Sequence, residues 1–189
     1  MRELEERILQ DGRALSEHIL LVDSFLNHQV DVGLMERIGA EFARLFADSG
    51  VTRVATIESS GNAPAAMTAL KLGVPLVIMN KSASAILQEG VSTVRVHSFT
   101  KNTDYMLMCK RQFLPAGEKV LFIDDFLANG EAALGAAALI EGAGAQVAGI
   151  GIVIEKSFQQ GPTRLTKAGY IVHSLARIAR MAKGVIEFA

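Results

Sequence analysis

Apolar positions change their spacing several times along the chain, and each change predicts an element. Residues 31–50, DVGLMERIGAEFARLFADSG, place Leu34, Ile38, Phe42, Leu45 and Phe46 on one helical face, with Asp31 suited to cap the start and Gly50 to stop the end. RVATI then reads as a short strand, NAPAAMTALKLG as a helix with Pro64 near its start, and VPLVIM as a second strand. The order strand, helix, strand predicts parallel pairing. Residues 80–118 lose helical periodicity and read as a mobile loop feeding an antiparallel excursion. The pattern resumes with the strand VLFI, the helix GEAALGAAALIEGAG and the strand VAGIGIVI, whose unbroken apolar run suits burial on both faces. YIVHSLARI and GVIEF supply terminal strands, and about thirty residues precede the first core helix. No repeat, low-complexity tract or linker divides the chain, so the expectation is one α/β domain over residues 1–189, with a mainly parallel central sheet flanked by helices.

Composition supports one sizeable core: 189 residues are 50% hydrophobic with mean hydropathy +0.29. Nineteen basic residues against twenty acidic ones leave a net charge of -1, which gives no whole-protein field for nucleic acid or an anionic membrane. Cys109 is the only cysteine, so an intramolecular disulfide and a cysteine-built zinc site are both excluded. The charged start MRELEERILQ and the short apolar runs AALGAAALI and VAGIGIVI fit neither an export signal nor a membrane span. A cytoplasmic protein is expected.

Open parallel sheets bind ligands beyond the carboxyl ends of their strands, which singles out residues 58–62, 80–84, 124–130 and 155–158. In KVLFIDDFLANGEA, Asp124 and Asp125 stand where strand gives way to turn, and the turn feeds a helix whose first N–H groups lack helical partners. Such a terminus suits phosphate, and carboxylates one step away suit sugar hydroxyls. A turn organised by Asp125 and permitted by Gly130 is the plainer alternative. Ser59, Ser60 and Gly61, between a strand and a helix, fit an anion cradle or an ordinary turn. A hydrolase nucleophile elbow is excluded, because Ile57 and Glu58 stand where glycine is needed. Lys81 is either a surface lysine or a cation in the crevice, whereas Lys156 ends a central strand and points a donor towards it. His18, His28, His97 and His173 show no metal-ligand spacing and read as structural.

VLFIDDFLANGEA resembles the ribose-phosphate signature of the type I phosphoribosyltransferases. In that family a hydrophobic strand ends in two acids and a loop follows, usually containing Thr-Gly-x-Thr; Asn129 and Ala132 replace the two threonines here. TIESSGNAPA is similar to the family's pyrophosphate loop, VPLVIMNKSAS to its segment carrying a basic residue, and VHSFTKNTD to its mobile catalytic loop. LVDSFLNHQVD and GIGIVIEKSFQQG extend the resemblance over almost the whole chain, towards the members that act on xanthine.

The resemblance implies the type I fold with a small hood over the base site, mainly in residues 1–35 and the C-terminal region. It implies transfer of the 5-phosphoribosyl group of phosphoribosyl pyrophosphate to N9 of xanthine, with magnesium bound to the pyrophosphate substrate and no metal ligand directly assigned on the protein. Asp124 and Asp125 would serve catalysis by holding the ribose hydroxyls. Ser59, Ser60, Gly61 and Lys81 would hold the pyrophosphate, and Ala128, Asn129, Gly130, Glu131 and Ala132 the 5′-phosphate. Leu20, Asn27 and Lys156 would meet the base, although Leu20 also suits ordinary core and Asn27 a turn. A homodimer is implied. The alternatives are a guanine, hypoxanthine or adenine substrate, or a regulator that senses phosphoribosyl pyrophosphate without catalysis. A regulator would need a DNA-reading module and a basic surface, for which the short N-terminal segment and net charge leave little room.

Overall fold

The computed structural model describes residues 1–82, 89–98 and 103–189. The chain opens with α1 (Arg2–Asp11), a two-stranded antiparallel ribbon of β1 (Arg13–Ala14) and β2 (Leu20–Leu21), and a single π-helical turn, Asp23–Asn27. There follow α2 (Val32–Leu45), β3 (Arg53–Ile57), α3 (Asn62–Leu72) and β4 (Leu76–Ser82). An antiparallel hairpin pairs β5 (Val91–Ser98) with β6 (Thr103–Lys110). The remainder is β7 (Lys119–Leu127), α4 (Glu131–Gly142), β8 (Gln146–Lys156), α5 (Gly161–Lys167), β9 (Val172–Ala182) and β10 (Val185–Phe188).

Eight strands form one sheet in the order β10-β9-β8-β7-β3-β4-β6-β5. β9, β8, β7, β3 and β4 run parallel, while β10, β6 and β5 are antiparallel to their neighbours. From β3 the chain steps through α3 to β4 in one direction; from β7 it steps through α4 and α5 to β8 and β9 in the other. The connections therefore diverge between β3 and β7, the place where an open sheet leaves a crevice at its carboxyl edge.

Strand alternation builds two cores, one on each face. In β7, Leu121 and Ile123 join Phe42, Phe46, Ile38 and the residues of α1, while Val120 and Phe122 join Ala136, Leu139 and Ile140 of α4. The hairpin closes over α4 through Val96 and Leu107. Its packing is tight, since a Cβ on Gly135 would come within 2.4 Å of Val96 Cγ2.

The expected strands and helices are present, but several bounds move. β7 continues to Leu127, so Asp124 and Asp125 lie within the strand rather than at its junction with the turn. β4 continues through Asn80 and Lys81 to Ser82, because β6 extends its ladder by pairing Lys81 with Leu107. A core helix precedes residue 31: α1 buries Leu4 and Ile8 completely. Its polar run MRELEERILQ hides only two inward positions, one turn apart. α5 is a further helix beyond those expected, although Pro162 near its start and Gly169 after its end are ordinary boundary signals. The expected mobile loop over 96–104 lies partly outside the described residues, and its described ends are strands. Among the described residues no helix is long and apolar enough to cross a membrane.

The Asp31 cap is as expected: its Oδ1 accepts from Leu34 N at 3.0 Å, and Oδ2 lies 3.4 Å from Arg7 of α1. Asp31→Ala removes both the cap and the tether, and should lower unfolding free energy by about 0.5–2 kcal/mol in urea titration. An unchanged midpoint would show that neither contact contributes.

Candidate active site

The divergence of the crossovers brings the end of β3 beside β7, and the loop after β3 leads straight into α3. Gly61, which precedes α3, is buried between them: a Cβ there would lie 2.2 Å from Thr56 Oγ1 and 3.2 Å from Asp124 Oδ1. Glycine is thus required at 61 by the protein's own Thr56 and Asp124, a closer constraint than the expected approach of an anion. Ser59 is exposed and Ser60 half-buried in the same turn. The Glu58 carboxylate ties that turn to β4, accepting from Lys81 N at 2.7 Å and from Asn80 Nδ2 at 3.1 Å. Thr56 Oγ1 and Asn62 Oδ1 are buried without a hydrogen-bond partner, in the immediate surroundings of this turn.

A cavity of about 290 Å³ opens beside the turn that follows β7, lined by residues 124–133 with Lys81, His97 and Tyr105 opposite. Gly130 adopts φ 91°, a left-handed conformation that favours glycine, and precedes α4 without any side-chain cap. The free N–H groups of the first turn of α4 therefore face a site with the partial positive charge of a helix start. Lys81 Nζ stands 5.6 Å from the centre of the Tyr105 ring, and His97 Nδ1 lies 2.7 Å from Asp104 Oδ1. His97, read from sequence as structural, belongs to this wall, as does Tyr105. Alternation along β6 turns Tyr105, Leu107 and Cys109 to one side, but only the pairing with β4 shows that this side meets Lys81.

Burial, then the neighbouring Asp125 charge, pushes the Asp124 carboxyl well above its ordinary 3.8. Burial also raises Asp125, against a lowering by its hydrogen bond with Asp124. Their contact is local, Asp125 N donating to Asp124 Oδ1 at 3.0 Å. Burial, then the Asp124 and Glu131 charges, raises Tyr105, so the phenol stays protonated. The Cys109 thiol, pushed up to about 11 by burial, is inert at neutral pH.

Not every expected residue reaches this cavity. Lys156 closes β8 with 8% exposure, and its ammonium donates to the carbonyl of His18 and lies 5.4 Å from the Phe126 ring centre. The ammonium is thus engaged by the N-terminal segment rather than free in the crevice. Burial lowers its pKa, and the Asp125 charge acts in the opposite sense. Phe126, unremarked in sequence, touches both sides, since it also lines the cavity. Beneath Lys156, the buried Glu155 carboxylate accepts from Ser157 and Ser174 at 2.6 Å each and from Arg177 at 3.2 Å. Leu20 is core, 7% exposed beside Val22 and Phe25, and Asn27 is exposed at the end of the π-helical turn. Neither lines the cavity.

The Phosphoribosyl transferase domain family matches residues 33–172, a span that contains every wall of this cavity. The chain belongs to the phosphoribosyltransferase family. Curated relatives of this phosphoribosyltransferase extend over its whole length. It is 56% identical over 187 residues to the xanthine phosphoribosyltransferase of Clostridium botulinum strain Eklund 17B, covering 99% of this chain and 98% of that one. It is 54% identical over 188 residues to that of Clostridium acetobutylicum, covering all of both, and 52% identical to that of Pseudomonas entomophila, covering 100% and 99%. Among solved structures, the adenine phosphoribosyltransferase of Thermoanaerobacter pseudethanolicus superposes with TM-score 0.76 at 24% identity, over 92% of this chain and 99% of that one. The enzyme of Giardia lamblia with 9-deazaadenine gives 0.78 at 20%, over 92% and 97%. The fold is that of the type I phosphoribosyltransferases, and this phosphoribosyltransferase is a transferase built on it.

The acid pair gives the family fold a testable pH signature. A carboxyl whose pKa is raised in the folded state disfavours folding once the pH exceeds 3.8, and the cost grows until the folded value is passed. A tenfold difference in proton affinity between the folded and unfolded carboxyl is worth about 1.4 kcal/mol. Asp124→Asn should therefore melt close to wild type near the ordinary carboxylate pKa and above it at neutral pH. A variant less stable at neutral pH would show that the charge is compensated.

Proposed function

We propose that this chain transfers the 5-phosphoribosyl group from phosphoribosyl pyrophosphate to N9 of xanthine, giving xanthosine 5′-monophosphate and pyrophosphate. The observation that carries this reading is the 54–56% identity, over essentially the whole chain, with the two clostridial proteins that bear the name xanthine phosphoribosyltransferase. The acid pair beside a helix start is chemically apt for a sugar phosphate. Asp124 and Asp125 accept from the ribose hydroxyls, whose donors favour the ionised carboxylates that burial otherwise disfavours. The loop 128–132 offers backbone N–H groups to the 5′-phosphate, and Lys81 faces the pyrophosphate, joined by the turn 59–61, which does not line the cavity but is tied to Lys81 N through Glu58.

In the reaction the bond from N9 to ribose C1 forms as the C1–O bond to pyrophosphate breaks; the electron pair leaves with pyrophosphate, and the imidazole proton of the neutral base passes to solvent or to the departing pyrophosphate. Positive charge spreads between C1 and the ring oxygen as the leaving group departs. The protein's task is to fix geometry and hold the departing anion, with no covalent nucleophile. Magnesium supplies charge neutralisation of the pyrophosphate when bound. Asp124 and Asp125 suit it, because magnesium takes one or two carboxylates together with substrate oxygens rather than an all-protein cage.

Base recognition falls to the hood. Lys156 and Phe126 sit where the N-terminal segment meets β8, so an incoming keto-purine exchanges its carbonyl for that of His18 as partner to the ammonium. Leu20 supports that segment from the core, and Asn27 offers both a donor and an acceptor from its rim. A homodimer fits the exposed sheet face beside the hairpin, where Ile78 keeps 41% exposure. A reducing cytoplasm fits a buried thiol at Cys109.

Assay of xanthine, guanine, hypoxanthine and adenine with phosphoribosyl pyrophosphate and magnesium tests the reading; turnover with none of the four would overturn it. Lys156→Met should lower kcat/KM for xanthine by about ten- to hundredfold, the worth of one charge-assisted hydrogen bond, and change the KM for phosphoribosyl pyrophosphate much less. Equal losses for both substrates would instead mean a disrupted site. Sedimentation at micromolar concentration should give a dimer, and a fully active monomer would exclude it.

A further inference from the structure

The loop 128–132 is held from behind by α5, which contributes no residue to the cavity. Gly161 N donates to Ala128 O at 2.9 Å, and Arg164 Nη1 donates to Asn129 O at 2.6 Å. Contact is close at the next residue as well: a Cβ on Gly130 would lie 3.1 Å from Gly161 Cα. In a planar trans peptide the N–H points opposite to the carbonyl. Drawing the carbonyls of Ala128 and Asn129 towards α5 therefore turns the N–H groups of Asn129 and Gly130 away from it. The same guanidinium pairs with the carboxylate of Glu131, which lines the cavity beside Asp124 and Asp125. Unpaired, that carboxylate would repel any phosphate bound at the start of α4.

We propose that Arg164 is a positioning residue for the 5′-phosphate cradle: it orients the loop through Asn129 O and cancels the charge of Glu131. It does not itself touch the reacting atoms. Its importance follows from the local sequence, since Asn129 and Ala132 present no hydroxyl to the phosphate and leave the loop's backbone N–H groups and the Asn129 amide to bind it. Both contacts come from the one nitrogen Nη1, held in the plane of the guanidinium, whereas a lysine ammonium on its flexible stem would offset Glu131 but fix the carbonyl less well.

This inference rests on reading 128–132 as the phosphate site, so its test separates the ligand's two ends. Wild type, Arg164→Met and Arg164→Lys are titrated calorimetrically with ribose 5-phosphate and, separately, with pyrophosphate and magnesium. Arg164→Met should weaken ribose 5-phosphate by about tenfold, as expected for a lost charge-assisted contact, and pyrophosphate by less than about twofold. Arg164→Lys should recover part of the loss, and Glu131→Gln added to Arg164→Met should recover the part that is charge repulsion. Unchanged ribose 5-phosphate affinity in Arg164→Met, or equal weakening of both ligands, overturns the role of Arg164. A wild-type protein that binds neither ligand overturns the phosphate-site reading and this inference with it.

Discussion

Two adjacent carboxylates, one buried and one half-buried, at the one place where the crossovers of the sheet diverge, set the terms for everything around them. Asp124 is 8% exposed, and both acids have their pKa raised, burial being the largest cause in each case. A fold selected for stability alone would not place two acids side by side in that position, because desolvation and mutual repulsion both disfavour their ionisation. The surroundings offset the cost only in part. Lys81 stands across the cavity, and two helices, α3 and α4, begin there without a side-chain cap on either. What remains uncompensated is an affinity for hydroxyl donors and cations. Strain of this kind is characteristic of functional sites.

The rest of the molecule positions parts around that pair. Glu58 binds the turn after β3 to the backbone of β4, so the turn and Lys81 move together. The hairpin, packed on α4, carries Tyr105 and His97 to the far wall. The short helix α5 lies behind the loop 128–132 and fixes its carbonyls. These supports come from segments far apart in sequence, and all act on backbone orientation. That suits a reaction in which geometry and charge stabilisation, rather than a covalent nucleophile, carry the rate.

The end of β8 follows a different logic. Lys156 is buried, its pKa is lowered, and its ammonium is satisfied by the carbonyl of His18. A buried ammonium needs a partner whether or not a ligand is present, and the N-terminal segment supplies one. Under the proposed function, exchange of that carbonyl for a purine carbonyl would couple base binding to the N-terminal segment, whereas an amino group in the same place would set donor against donor. The Glu155 network ties the end of β8 to Ser157 and to Ser174 and Arg177 of β9.

Short-range physics was legible in the chain alone. Period and caps gave α2 with its Asp31 cap, the β3-α3-β4 and β7-α4-β8 units, and the conjunction of an apolar strand, two acids and a glycine turn. The resemblance of four motifs in order named the family. Local pattern gave too little signal for α1, whose two buried residues sit in a run of charges, and it ended β4 and β7 too early because the partner strands that extend them are distant in sequence. Only the tertiary structure placed Thr56 and Asp124 against Gly61, Tyr105 opposite the acids, Arg164 behind the loop and His18 on Lys156. Apart from that of Thr56 with Gly61, each of these contacts joins residues far apart along the chain, so it depends on strand order and helix placement, which no window of local sequence contains.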